Sequence, residues 1–344
     1  MQVTNINNFD LLRLFAALQV AVIHTFGWLD YRAPWVDLLG LFPGVPIFFF
    51  ISGFLIFTSF ERTISRGQSI KSFYLNRFLR LYPGLCFCSF VSIFFIFITG
   101  YFNGTDLPIT QLLAWAFSMF IAPFYTPEFL AGYGSGSFNG ALWTIAVEIQ
   151  FYMLMPLLFW LFQRNNFLVT CVFTIFLGLN FINNFFENQE GFEKLYFISF
   201  FPWFVMFMFG AVVAKNESIL KQINKIPFIF SLISYIFVWW VSSENGLNWG
   251  NKINFLGYFF LSAIIVKLSF LYPTLSQKVL KNNDISYGIY IFHMPIVNLA
   301  LYYEYSGFSS SILVLSAVVL ISLVSWFIVE RPMLRLKKST ISAR

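Results

Sequence analysis

Apolar residues run in long blocks from one end of the chain to the other, and polar residues gather in the short stretches between them. A run of about 20 apolar residues, wound at 1.5 Å per residue, crosses the roughly 30 Å hydrocarbon layer of a bilayer as one helix. Read this way, the pattern predicts ten spanning segments, near 9–28, 36–59, 78–101, 139–162, 166–183, 196–214, 226–243, 253–271, 284–304 and 309–330. The expectation is therefore an all-α integral membrane protein with a single polytopic domain over 1–335 and a short basic tail at 336–344. One further apolar stretch, QLLAWAFSMFIAPFY at 111–125, is short and interrupted by Pro123, so it is expected to be re-entrant or to lie at the outer interface. The second block, 36–59, holds Pro43, Gly44, Pro46 and Gly53, which kink a membrane helix and free backbone polar groups beside a cavity, or simply shape its packing. Ahead of the fourth block, GYGSGSFNGALW at 132–143 predicts a flexible connection, and no internal repeat is evident.

Composition agrees with that class. Hydrophobic residues make up 58% of the 344 and charged residues only 10%, far below the quarter or so of a soluble domain. The charges also orient the chain. Of the 21 Lys and Arg, all but Arg13, Arg32, Lys194 and Lys252 fall on alternate connections or in the tail, while most acids fall on the others. The positive-inside rule then predicts a multi-pass chain with both termini in the cytoplasm. This also keeps 111–125 from crossing, since a crossing there would send every later basic loop outside. The net charge of +6 thus reports topology rather than a nucleic-acid or other acidic partner. No Lys or Arg precedes Arg13 and no small-residue cleavage site follows Trp28, so the first helix is expected to be retained. Cys86, Cys88 and Cys171 form neither a disulfide framework nor a metal-ligand spacing, and no metal is expected.

The candidate chemistry lies in the few ionisable residues inside apolar blocks. Arg13 and His24 are eleven residues apart in the first block, which on a helix places them within roughly 20° of one face and about 16 Å apart. Ala17, Val20 and Ala21 lie between them on that face and predict a groove. Ionisable residues in a spanning helix mark a functional face, although Asp10 and Arg13 can also snorkel to the interface. Histidine suits proton transfer near neutral pH, and the chain has two, His24 and His293. His24 is expected to be catalytic and His293 to line or pack the site. Glu148 falls at a depth similar to His24, so it is a candidate to orient it. At the start of the third block, Arg77 and Arg80 share a helical face beside Phe73, Tyr74 and Tyr82. Guanidinium forks with aromatic rings suit a phosphorylated, ring-bearing ligand such as coenzyme A; anchoring at the cytoplasmic face explains the two arginines equally well.

Six motifs then occur in order: Asp10-x-x-Arg13-x10-His24, FFFISGFLI at 48–56 (with Ser52), RFLRLYP at 77–83, LWTIAVEIQFY at 142–152 (with Trp143), ISYGIYIFHMPI at 285–296 (with Tyr290) and ERP at 330–332. Together they resemble the membrane-bound acyltransferase-3 family, in the form without a fused extracytoplasmic hydrolase-like domain. The resemblance implies an O-acyltransferase of about ten spans. It would move an acyl group, most often acetyl, from cytoplasmic acetyl-CoA or another acyl-CoA to a hydroxyl of a cell-envelope glycan or lipid-linked glycan. It also implies roles: His24 and Glu148 in catalysis, Arg13, Arg77 and Arg80 in donor binding, and Asp10, Ser52, Trp143, Tyr290 and His293 lining the site. Thr144 stands where the family commonly has Ser, and Gln150 where a second acid often occurs. The alternative from another class is a transporter or flippase of a polar or lipid-linked substrate. The basic, aromatic entrance at Arg77 and Arg80 and the lack of repeats speak against it.

Overall fold

The computed structural model describes residues 6–104, 109–164, 166–182, 192–247 and 251–342, and among these every regular element is helical. In chain order the α-helices are α1 Phe9–Trp28, α2 Pro34–Leu39, α3 Gly44–Ser65, α4 Ile70–Ile98, α5 Ile109–Ile121, α6 Trp143–Arg164, α7 Asn166–Ile182, α8 Phe192–Phe197, α9 Phe204–Lys215, α10 Glu217–Lys225, α11 Phe228–Glu244, α12 Phe255–Phe270, α13 Leu275–Leu280, α14 Ser286–Tyr302, α15 Gly307–Ser325 and α16 Arg331–Ser342. A π-helical turn, Trp326–Glu330, joins the last two. Among the described residues, five stretches are long and apolar enough to cross a membrane: Phe9–Trp28, Pro34–Ser65, Ile70–Ile98, Gly140–Arg164 and Gly307–Leu336. A sixth is added if Phe201–Lys215 and Glu217–Lys225, bent by 103°, form one span. The protein is a multi-pass membrane protein.

Each of the ten predicted segments carries a helix, and the bounds of α1 coincide with the first apolar run. One offset is in α4, which starts at Ile70 rather than near 78. Lys71, Asn76 and Arg77 are compatible with a helix but not with hydrocarbon, so an apolar pattern sees only the later part of it. Arg77 and Arg80 therefore sit within a helix rather than at its mouth. The segment near 111–125 contains the thirteen-residue α5, which stops before Pro123.

By contact, the chain divides into two compact units. One comprises Met1–Ala16, Leu39–Phe73 and Val147–Asn282; the other comprises Ala17–Leu38, Tyr74–Ala146 and Asn283–Arg344. In the first, α3 lies against α9 at a crossing made of two glycines. A Cβ at Gly53 would overlap the Phe207 carbonyl, and one at Gly210 would overlap the Phe50 carbonyl. Small residues let membrane helices approach to backbone contact, where dispersion and not the hydrophobic effect supplies the attraction. Buried phenylalanines fill the space around that crossing, with Phe151 and Phe207 stacked at 4.0 Å between centroids. Asn8, just before α1, closes the end of α12: its Nδ2 donates to the carbonyls of Leu268 (3.1 Å) and Leu271 (2.6 Å), and its Oδ1 accepts from Ser276 N–H at 3.0 Å. One side chain thereby satisfies groups that a helix end leaves open.

The second unit is built on α14, buried without interruption from Ser286 to Asn298. α15 packs along it, with Gly288 lying so close to Ser322 that a Cβ would come within 2.9 Å of the serine Cβ. A lipid-facing helix would be exposed along one side; α14 is enclosed by protein, so its polar groups must find partners within the protein.

Candidate functional site

Pro295 lies inside α14 and has no N–H, so the carbonyl of Ile291, four residues earlier, loses its helical partner. The structure supplies two donors. Asn139 Nδ2 donates to that carbonyl at 2.8 Å, and the thiol of Cys88 in α4 at 3.1 Å. Asn139 comes from the Gly/Ser connection that leads into α6. A second asparagine, Asn298, fastens the same connection: its Oδ1 accepts from Ser135 N–H at 2.9 Å, and its Nδ2 donates to the carbonyls of Ser137 (2.9 Å) and Phe138 (2.8 Å). Gly134, with φ +60°, lets the backbone turn directly over Asn298. The flexible connection expected from its composition is thus pinned to α14, because backbone groups at the edge of a membrane protein still need partners.

The two histidines of the chain meet beside this anchor. His24 Nδ1, from α1, lies 3.0 Å from His293 Nε2, and His293 Nδ1 lies 2.6 Å from the carbonyl oxygen of Tyr290. His293 is fully buried, whereas His24 is only partly covered. Tyr290 is held in turn: its hydroxyl accepts from Thr144 Oγ1 at 2.8 Å and donates to the Ala141 carbonyl at 3.0 Å. What Thr144 contributes is a hydroxyl, which serine shares, so the exchange at this position keeps the bond. The site therefore joins α1, α14 and the start of α6 around a partly open imidazole.

The other candidates divide into two groups. Arg80 forms an ion pair with Asp284, whose carboxylate also accepts from the backbone and hydroxyl of Ser286. The side chains of the pair are only 18% and 11% exposed, so Arg80 is in part a structural clamp between α4 and the start of α14. Arg77, one turn earlier, is half-buried. Glu330 of the ERP motif is buried and accepts from Ser325 Oγ at 2.8 Å across the π turn. In the other unit, Arg13 pairs with Asp10 at 3.7 Å, Glu148 accepts from Tyr152 Oη at 2.5 Å, and Ser52 is buried in α3. Trp143, at the start of α6, is partly exposed.

One expectation is corrected. Ala17, Val20 and Ala21 are buried, so the stripe between Arg13 and His24 is packed rather than an open groove. Small residues at such a position draw neighbours in. The contact made by His24 Nδ1 is with His293, which the sequence had placed only as a lining residue. Asp284, Asn139 and Asn298 were not singled out at all. For Asn139 a signal existed, since Pro295 announces an orphaned carbonyl that some donor must meet. Among the described residues, no three His, Cys, Asp or Glu side chains are grouped to hold a metal ion.

The profile of an acyltransferase domain family, acyltransferase-3, matches residues 6–331. The chain is 28% identical over 362 aligned residues to nodulation protein 10 of Rhizobium leguminosarum bv. viciae, covering 98% of this chain and 96% of that one. It is 26% identical to the O-acetyl transferase of Shigella phage Sf6, over 94% and 95% of the two chains. It is 24% identical to the peptidoglycan O-acetyltransferase OatA of Listeria monocytogenes, over 85% of this chain but 49% of the longer relative. No solved structure matches.

Proposed function

The chain belongs to the acyltransferase-3 family and is an enzyme of the O-acetyltransferase kind, and from that premise we propose that it moves an acetyl group from acetyl-CoA to a hydroxyl of a cell-envelope glycan. The observation that carries this reading is His24, an imidazole on a membrane-spanning helix, held by a second histidine and still partly open. In the proposed reaction His24 removes the proton from the acceptor hydroxyl as its oxygen attacks the thioester carbonyl. The C–S bond breaks, and the departing CoA thiolate takes the proton back from His24. The products are an O-acetyl ester and free CoA. No acyl-enzyme intermediate is needed.

Arg13, Arg77 and Arg80 are proposed to handle the anionic donor, with Arg80 giving part of its hydrogen-bonding capacity to Asp284. Glu148 is retained as a proposed catalytic carboxylate, and Asp10, Ser52, Trp143 and Tyr290 as residues lining the path. The proposed topology keeps ten spans in a single membrane domain over 1–335, both termini in the cytoplasm and α5 outside the count of crossings. This arrangement suits a donor drawn from the bacterial cytoplasm across the inner membrane to an acceptor outside.

The test measures transfer of label from radiolabelled acetyl-CoA into the glycan fraction of membranes carrying the full chain. His24→Ala, inserted at the wild-type level, abolishes transfer; full activity in that variant would overturn the assignment.

A further inference from the structure

We infer that His293 is a positioning residue that holds His24 in the Nδ1–H tautomer, so that Nε2 is the atom that accepts the substrate proton. The inference rests on the reading of His24 as the base and specifies how that base is set.

The argument starts at the buried end of the chain of contacts. The Tyr290 carbonyl can only accept, so the short approach of His293 Nδ1, 2.6 Å, places a proton on that nitrogen. In a neutral ring the other nitrogen, Nε2, then carries a lone pair and no proton. That lone pair faces His24 Nδ1 at 3.0 Å, and the contact is a hydrogen bond only if His24 donates. The reverse direction would need protons on both nitrogens of a fully buried ring. With its proton on Nδ1, His24 has its lone pair on Nε2, on the far side of the ring from His293. The direction of the whole line is thus dictated by one backbone carbonyl.

This arrangement does two things for the reaction. It selects the tautomer in which the outward nitrogen is basic, and it keeps an acceptor beside Nδ1–H when His24 becomes imidazolium. It also stops the proton there, because beyond His293 the line ends on a carbonyl that cannot take one. His293 is therefore an orienting group of the kind that a catalytic base requires, supplied by an imidazole instead of a carboxylate. The bracing of α14 around it, through Asn139 on the Ile291 carbonyl and Thr144 on the Tyr290 hydroxyl, holds that carbonyl in place.

Two measurements test this. The first is solid-state NMR of the full chain in lipid bilayers with ¹⁵N-labelled histidine, which gives only two rings to assign because the chain has two histidines. His293→Gln leaves one ring and identifies it. The expected result is both wild-type rings protonated at Nδ1 and bare at Nε2; a His24 ring with its proton on Nε2 overturns the inference. The second measurement is steady-state transfer from acetyl-CoA in membranes carrying the full chain. His293→Leu removes the acceptor and lowers kcat by about 10²-fold with the KM for acetyl-CoA unchanged. His293→Gln, whose amide oxygen can take the place of Nε2, recovers about tenfold of that loss. A His293→Leu enzyme with wild-type kcat, alongside an inactive His24→Ala, sinks the role of His293 and leaves His24 as the base. A fully active His24→Ala sinks the underlying reading instead. Should His293→Leu fail to fold, the wild-type tautomer decides.

Discussion

The carbonyl of Ile291 offers a direct test of how the site is braced. Pro295 deprives it of a backbone donor, and Asn139 Nδ2 takes that place at 2.8 Å with a weaker contribution from the Cys88 thiol at 3.1 Å. Asn139→Ala removes the amide and leaves the carbonyl to the thiol alone. An unmet buried carbonyl costs about 1–3 kcal/mol. Measured side-chain hydrogen bonds in membrane helices run lower, averaging about 0.6 and reaching about 1.7 kcal/mol. Since Cys88 remains, a loss near 1 kcal/mol is expected. Pro295→Ala restores a backbone N–H aimed at the same carbonyl, so Asn139 becomes partly redundant. The double variant should then be about 1 kcal/mol more stable than the sum of the two single effects. The assay is equilibrium unfolding in mixed micelles, titrating a denaturing detergent and following tryptophan fluorescence for the four proteins of the cycle. Additivity within about 0.5 kcal/mol would refute the reasoning, since the two groups would then not be serving one carbonyl.

Two further outcomes follow from the same geometry. Arg80→Ala strands the Asp284 carboxylate and should cost about 3 kcal/mol, whereas Arg80→Ala with Asp284→Ala removes both charges and should cost less than the single change; an unfolding cycle reads this, and a higher KM for acetyl-CoA in the Arg80 variants but not in Asp284→Ala would separate donor binding from clamping. Asn298→Ala releases three hydrogen bonds on the connection before α6, so the amides of residues 135–138 should exchange deuterium faster in hydrogen-exchange mass spectrometry while those of α14 are unchanged; no acceleration would mean that the connection is held elsewhere.

Much of the helical layout was legible before any coordinates, because a bilayer makes the demand for long apolar runs nearly local. The first helix could be bounded to the residue for that reason: from Phe9 to Trp28 the run is mostly apolar, with Asp10, Arg13 and His24 as its ionisable residues. The start of α4 could not, since its first turns carry Lys71, Asn76 and Arg77, and polar residues at a helix end look like a loop to any hydropathy pattern. What lay beyond reach was pairing across the chain. His24 and His293 stand 269 residues apart, and nothing in either motif announces the other. The same holds for Arg80 and Asp284: Arg80 and Arg77 share a face, but the pairing of Arg80 with Asp284 depends on where α14 begins. The small residues between Arg13 and His24 misled for a physical reason, since alanines on a membrane helix are as well suited to close packing as to a groove.

These long-range pairings share a cause in α14. A helix enclosed on all sides has no water or headgroup to satisfy its polar groups, so every one of them must recruit a neighbour. Tyr290 recruits Thr144 and the Ala141 carbonyl, Ile291 recruits Asn139, and Asn298 recruits the connection at 135–138. These demands fix the loop against the helix, and the loop fixes the start of α6. His293 meets its demand inward, on the Tyr290 carbonyl, and so is left with a lone pair pointing outward to α1. The orientation of the His24 imidazole is in this sense a consequence of burying a proline-bearing helix: the rules that keep α14 free of orphaned polar groups also decide, on the proposal made above, which nitrogen of His24 would meet a substrate.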